Sequence, residues 1–284
     1  MIRNFTLILL MLAPSWGMAQ MDAILKDSIR GLFKEMRLAE DGDKMLIASK
    51  LEIVLSDYYS NPNHFQEELD SIPFLGQLSS SDGVVKMICW NLALSTGEFN
   101  YHCILRHRPT KETVAVTVLQ DVKNWERIQR KSLRSISWYG ALYYKILTNK
   151  FKGKTYYTLL GWDGKDAITN RKVVDALVVK GKTLSLGANI FVEEGKPSFR
   201  LIYEYANDAT MSLNFDLKQK AIVMDHLAPE DSRYTGQYQF YGPDFSYDAL
   251  TFEKGKWVLQ KDVFATNKGL NNLSKEAKPR DFKD

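Results

Sequence analysis

The sequence predicts a mainly β protein built from antiparallel sheets, with a helical module at its N-terminus, and three observations carry that expectation. Apolar residues recur with a period near 3.6 up to Tyr59 and with a period of 2 from Gly83 onward. Short Gly-centred turns, Lys152-Gly153-Lys154 and Lys254-Gly255-Lys256, sit between alternating segments and can join only antiparallel neighbours, because a parallel crossover needs a dozen or so residues. Aromatic residues make up 12% of the chain and come in doublets, Tyr58-Tyr59, Tyr143-Tyr144 and Tyr156-Tyr157. They could form a stacking surface for sugars or peptides, but strands recruit aromatics to fill a core, and that reading is preferred. A sandwich, a barrel and a small propeller all suit short strands with Gly turns, although no fixed-period repeat supports the propeller.

In chain order, residues 1–19 read as a signal peptide. Arg3 precedes the apolar run Phe5 to Ala13, and Gly17-Met18-Ala19 supplies small residues ahead of Gln20. The run is too short to cross a bilayer, which takes roughly 20 apolar residues. No Cys follows the cleavage site to accept a lipid, so a secreted or periplasmic, non-lipidated protein is expected. Residues 20–78 form the helical module. One stripe runs Leu25, Ile29, Leu32, Phe33, Met36 and a second Ala48, Leu51, Leu55, with Asp41-Gly42-Asp43 as the break of a helical hairpin and a short helical piece from Asn63 to Leu69.

Residues 79–265 are the antiparallel β domain and 266–284 a polar tail. Phe199, Leu201, Tyr203, Tyr205 and, across Asn207-Asp208, Met211, Leu213, Phe215, Leu217 alternate with polar residues as one half-buried hairpin. One helical turn capped by Thr169 or Asn170 is expected over Val173, Ala176 and Leu177. Asp163-Gly164 reads as a turn in which Gly164 takes a positive φ.

A net charge of +4, dispersed along the chain, leaves no nucleic-acid footprint. After signal cleavage no segment is long and apolar enough to span a membrane as a helix. Cys89 and Cys103 invite a disulfide in an oxidising compartment. Aligning the apolar faces about Ser95-Thr96-Gly97, however, sets Trp90 opposite Cys103 and separates the thiols, so two free buried cysteines are expected. Cys103 and His107, four apart on one strand, are too distant for a dyad. With four histidines in all and no H-E-x-x-H, C-x-x-C, G-x-S-x-G or G-x-G-x-x-G pattern, no cofactor and no metal site is expected. The Gly-Lys-Thr triplets at 153–155 and 181–183 lack the leading glycine of a phosphate loop and read as hairpin turns.

The densest group of acids and imidazole is Asp225, His226, Asp244 and Asp248. Asp225 and His226 are adjacent, so strand alternation lets at most one of them join the other two. His226, Asp244 and Asp248 are the binding candidates, and Asp244 after Gly-Pro also suits a turn.

Trp138-Tyr-Gly-Ala-Leu-Tyr-Tyr144, Tyr156-Tyr-Thr-Leu-Leu-Gly-Trp-Asp-Gly164, Asp225-His-Leu and Tyr241-Gly-Pro-Asp-Phe-Ser-Tyr-Asp248 resemble a family of uncharacterised secreted proteins of Gram-negative bacteria. The likeness covers Ser79 to Val263. It implies a periplasmic or outer-envelope setting and brings no activity, cofactor or site residue. Two functional expectations result. The first is a non-enzymatic envelope protein that binds a glycan, a peptide or a protein as its envelope partner. The second is a hydrolase or metal-dependent enzyme using Asp225, His226, Asp244 and Asp248. The leader makes a direct prediction: chain expressed with it and exported begins at Gln20 and carries no lipid, and N-terminal sequencing that finds Met1 intact on exported protein refutes this.

Overall fold

The structure is a computed structural model; it describes residues 13–263 apart from 71, 74, 123–127 and 135, with side chains from Gln20 onward, so most of the expected signal peptide and the whole polar tail 266–284 lie outside the described residues. The chain divides into two units, Met1–Phe74 and Leu75–Asp284.

The first unit is the expected helical hairpin, α1 (Ala13–Leu38) packed on α2 (Asp41–Ser60), followed by a 3-10 turn, Pro62–Gln66. Both predicted stripes are buried, from Ile29 to Met36 and from Ala48 to Leu55. The break lies at Ala39-Glu40 rather than at Asp41-Gly42-Asp43, because Asp41 and Asp43 occupy the first turn of α2, where carboxylates meet the positive end of the helix dipole. Asn61 opens the 3-10 turn by accepting the Asn63 N–H at 3.0 Å.

The second unit is three stacked sheets without a closed barrel. Strands β1 (Gly76–Ser79), β2 (Val85–Ala93), β3 (Phe99–His107) and β4 (Ala115–Asp121) run antiparallel in order; after the short β5 (Leu133–Arg134), β6 (Ser137–Trp138) pairs parallel with β4 and completes sheet one. Sheet two is built from β7 (Leu142–Phe151), β8 (Lys154–Asp163), β9 (Thr169–Lys180) and β10 (Thr183–Leu186), with β5 on its edge. The chain then leaves for β11 (Phe191–Glu193) and β12 (Lys196–Ser198) of sheet three, returns as β13 (Leu201–Ala206) on β9, and ends in sheet three with β14 (Leu213–Asp216), β15 (Ala221–Pro229), β16 (Tyr241–Glu253) and β17 (Lys256–Val263). The turns at Gly153, Gly181 and Gly255 are the predicted hairpins.

Sheet two is the middle layer. One face of it, with Tyr157, Leu159, Val173 and Leu177, shares a core with Met87, Tyr101 and Leu105 of sheet one. Its other face, with Leu160, Val174 and Ala176, shares a core with Phe191, Ile222, Leu250 and Trp257 of sheet three. The Trp257 indole donates to Thr158 Oγ1 at 2.9 Å across that second interface.

Burial on both faces overturns three sequence readings. Residues 169–177 are strand rather than a helical turn, since Val173, Val174, Ala176 and Leu177 are all buried on the two faces of a middle layer, with only Asp175 between them. The segments 199–205 and 211–217 do not pair; β13 joins β9 and β14 joins β15, and the turn at Asn207-Asp208 carries the chain from sheet two to sheet three. Cys89 stands opposite Cys103, and Trp90 opposite His102, one residue away from the expected register. Ile88, Trp90 and Ile104 are as buried as Met87, Cys89 and Leu105, so hydrophobic alternation does not select a register there; the Leu94–Glu98 turn sets it. The register therefore does not separate the thiols: Cys89 and Cys103 face each other with their Sγ atoms 3.0 Å apart.

Along one edge of β9, β13 pairs with Thr169–Val174 and β10 with Leu177–Lys180, which leaves a notch at Asp175 and Ala176. Arg200, the residue before β13, fills it. Its Nε donates to Asp175 Oδ2 at 3.1 Å, and both side chains are fully buried. Tyr143 donates to the same oxygen at 3.2 Å, and the Ala176 N–H to the other at 2.8 Å. Arg200 Nη1 donates to the carbonyls of Ile128 and Lys131 at 2.6 and 3.1 Å. Gly187, at φ +85°, closes the notch; a Cβ there would fall 2.7 Å from Arg200 Nη2. Removing one partner of a buried ion pair strands the other charge, so Arg200→Met is predicted to cost about 3–5 kcal/mol in denaturant unfolding, with partial recovery in the Arg200→Met/Asp175→Asn double variant. A cost under about 1 kcal/mol for Arg200→Met would contradict that placement.

Candidate functional site

The register places one row of charged side chains at the end of sheet two. Asp163 on β8 is opposite Arg171 on β9, and Arg171 is opposite Glu204 on β13. Two residues along each strand stand Gly161, Val173 and Ile202, on the same face. That face therefore changes from apolar to charged as it approaches its end, and there, between sheets one and two, a cavity of about 530 Å³ opens.

Sheet one supplies the opposite wall. The parallel pairing of β4 with β6 sets Asp121 beside Trp138, so that Tyr139 and Gly140 follow directly into the cavity. Gly140, at φ +84°, has no room for a side chain: a Cβ would lie 2.2 Å from Asp121 Oδ1. Phe99 and Tyr101 of β3 add aromatic surface, and Tyr238, Ile128 and Gln129 form the remaining rim.

The polar groups are linked. Tyr139 donates to Asp163 Oδ2 at 2.7 Å, and Arg171 Nη1 donates to the Tyr139 hydroxyl at 3.1 Å. Arg171 Nε donates to Glu204 Oε2 at 2.7 Å, while Lys165 and the Thr169 hydroxyl donate to Oε1 at 2.7 and 2.8 Å. The Gly164 N–H donates to the Tyr101 hydroxyl at 2.7 Å. Burial, reinforced by the nearby Asp163 charge, raises the Tyr101 and Tyr139 phenols far above their ordinary value, so both remain protonated donors. Burial also pulls on Glu204, but its bonds from Lys165, Arg171 and Thr169 outweigh that and hold its carboxyl below the usual range. Around the cavity five carboxylates, Glu98, Asp121, Asp163, Asp166 and Glu204, face two cations, Lys165 and Arg171. With tyrosine rings beside these acceptors, the walls suit a neutral or positively charged polar ligand better than an anion.

Trp162 and Asp163 end β8 rather than making a turn, and Gly164 has no left-handed φ. Glycine is required there for another reason: a Cβ would come within 2.4 Å of the Trp162 ring and 2.6 Å of the Phe99 ring.

The sequence candidates lie elsewhere, in sheet three. His226 Nδ1 and Asp248 Oδ2 are 2.9 Å apart, and Asp248 Oδ1 accepts the Asp262 N–H at 3.1 Å. Asp244 accepts both the N–H and the hydroxyl of Ser246, at 3.0 and 2.7 Å, which is turn chemistry. Its carboxyl, nudged up by slight burial, is held below its ordinary value by those bonds and by nearby His226. Asp225 turns away, accepting the Ser212 N–H at 2.7 Å, and β15 is bulged between Asp225 and Leu227. The structure thus brings together His226 and Asp248 with Asp244 close by, and sends Asp225 to the other side, as alternation predicts. Among the described residues no group of three or more His, Cys, Asp or Glu is arranged to hold a metal ion, and no helix is long and apolar enough to cross a membrane.

Glu204 yields a pH prediction. A carboxyl whose folded pKa lies below its unfolded one stabilises the fold above the unfolded value and loses that contribution as pH falls through the folded value. Glu204→Gln is therefore expected to destabilise by about 1–3 kcal/mol near neutral pH, by analogy with hydrogen bonds to charged groups. In urea unfolding followed against pH, the gap between wild type and variant narrows below the ordinary glutamate value of 4.5. A gap that widens on acidification would refute the assignment.

Comparison of the chain with models of known protein families, with curated proteins and with solved structures finds no match.

Proposed function

We propose that this chain is an exported, non-enzymatic binding protein of the cell envelope, and that its ligand is a glycan segment held in the cavity between sheets one and two. The observation that carries this reading is the composition of that cavity: Phe99, Tyr101 and Tyr139 beside the acceptors Asp163, Asp121 and Glu204, in a volume of about 530 Å³. Small-molecule sites combine a concave, partly apolar wall with a few convergent polar groups, and they fall in a range of about 300–1,000 Å³. A saccharide presents C–H faces that pack on aromatic rings and hydroxyls that donate to carboxylates, which is the pairing offered here. A concave cavity also favours a glycan segment over a flat protein surface. The envelope setting rests on reading residues 1–19 as a leader: Arg3, the apolar run Phe5 to Ala13 and the small residues Gly17 and Ala19 ahead of Gln20.

The site is set on strands, and its charged row is already tied together before any ligand arrives. This favours recognition over acid–base chemistry, in which a group must exchange protons freely. The carboxylates of the second cluster, Asp225, Asp244 and Asp248, each accept N–H groups of the protein itself, which weighs against the hydrolytic alternative.

Titration calorimetry of the full chain against mono- and disaccharides of neutral and amino sugars tests the proposal. At least one sugar should bind saturably. Ile202→Trp, which fills the cavity from β13, should weaken that binding at least tenfold, while Ile202→Val leaves it within about threefold, a change under 1 kcal/mol. Saccharide binding that Ile202→Trp does not touch, or no saccharide binding at all, would overturn it.

A further inference from the structure

We propose that Cys89 and Cys103 are a disulfide-forming pair which, when the chain folds in the presence of a disulfide oxidant, closes and joins β2 to β3 covalently. The two residues are directly opposite in the β2–β3 ladder, their Sγ atoms are 3.0 Å apart, and both are fully buried. Facing residues of an antiparallel pair have Cα atoms about 4.5–5.5 Å apart, inside the roughly 4.4–6.8 Å span that disulfides occupy. Bond formation asks the sulfurs to approach by about 1 Å, to the usual 2.0 Å, without a change of register.

The chemistry is two thiol–disulfide exchanges. The thiolate of one cysteine attacks a sulfur of the oxidant, glutathione disulfide or a protein disulfide, whose S–S bond breaks and releases one thiol. The thiolate of the second cysteine then attacks the protein sulfur of the mixed disulfide and expels the other thiol. Two electrons and two protons pass from the cysteine pair to the oxidant, which is reduced to two thiols. Burial and the neighbouring Cys89 raise the Cys103 thiol well above its ordinary value, and no solvent reaches either sulfur. Exchange therefore belongs to the folding chain, before β2 and β3, both internal strands of sheet one, are covered. Once closed, the bond is shielded from small reductants by the same burial.

The test unfolds and reduces the full chain, refolds it with either reduced or oxidised glutathione, and counts thiols by alkylation in denaturant and intact mass. The expected result is two alkylated cysteines from the reducing arm and none from the oxidising arm. The oxidised protein should be lighter by two hydrogens, carry a cross-linked peptide joining Cys89 to Cys103, and have a Tm higher by several °C. Cys89→Ser, refolded with oxidised glutathione, should carry one glutathione adduct, which shows that the oxidant reaches the remaining thiol. Two free thiols, or stable glutathione adducts on wild type, in the oxidising arm would overturn the proposal. If refolding is inefficient, cell-free synthesis with oxidised glutathione and acid quenching gives the same count. The oxidant is supplied in the test, so the result is independent of where the protein resides.

Discussion

The buried pair of Arg200 and Asp175 is the constraint on which the second unit turns. β9 has two partners on one edge, β10 and β13, and neither covers Asp175 and Ala176. The Ala176 carbonyl there accepts the Gly187 N–H, but the fully buried Asp175 carboxylate without a counter-charge would cost several kcal/mol. Arg200 removes that cost with a guanidinium whose fixed fork reaches in two directions, to Asp175 on β9 and to the carbonyls of Ile128 and Lys131. A lysine could pair with Asp175 but could not hold those carbonyls in the same geometry. Gly187 is the complementary concession, a position where even one methyl group would press on the guanidinium.

The same residue bears on the candidate site. Ile128 and Gln129 are part of the cavity rim, and the segment is anchored from below by Arg200 and from the side by the Phe199 N–H and the Ser198 hydroxyl on the Gln129 carbonyl. The opposite walls rest on strand ends of β4, β8, β9 and β13. A cavity framed in this way has little conformational freedom to lose when a ligand enters, which is what pre-organised binding requires.

How legible this was in the sequence depends on how many faces each element buries. The helices of the first unit bury one stripe each, and periodicity located both. The hairpins about Gly153 and Gly255 were legible because a short Gly turn dictates antiparallel pairing whatever the burial. Where strands lie between two layers, alternation loses its meaning. Arg200, Ile202 and Glu204 read as the solvent side of a strand, yet that side faces sheet one and carries the buried arginine and part of the cavity wall. Side chains on both faces of β2 and β3 are buried too, so alternation does not select the Cys89–Cys103 register, and the run at 173–177 has a helical pattern because residues on both of its sides are apolar.

The site illustrates a further limit. Asp163, Arg171 and Glu204 are separated along the chain and meet only because β8, β9 and β13 are adjacent, an arrangement that includes a departure to sheet three and a return. No local spacing encodes that. His226 and Asp248, by contrast, were found by density of acids and imidazole, and their meeting across β15 and β16 follows from a simple antiparallel neighbour relation. Density pointed to the pair that a hairpin can assemble, whereas the cavity is assembled by topology. The one local trace it leaves is steric. Gly140 and Gly164 are glycines because Asp121 in one case, and Trp162 and Phe99 in the other, occupy the space a Cβ would need. Gly164, fixed by neighbouring rings rather than by its own φ, cannot be recognised as obligatory without the fold, whereas Gly140 combines a left-handed φ with the same kind of crowding at the cavity wall.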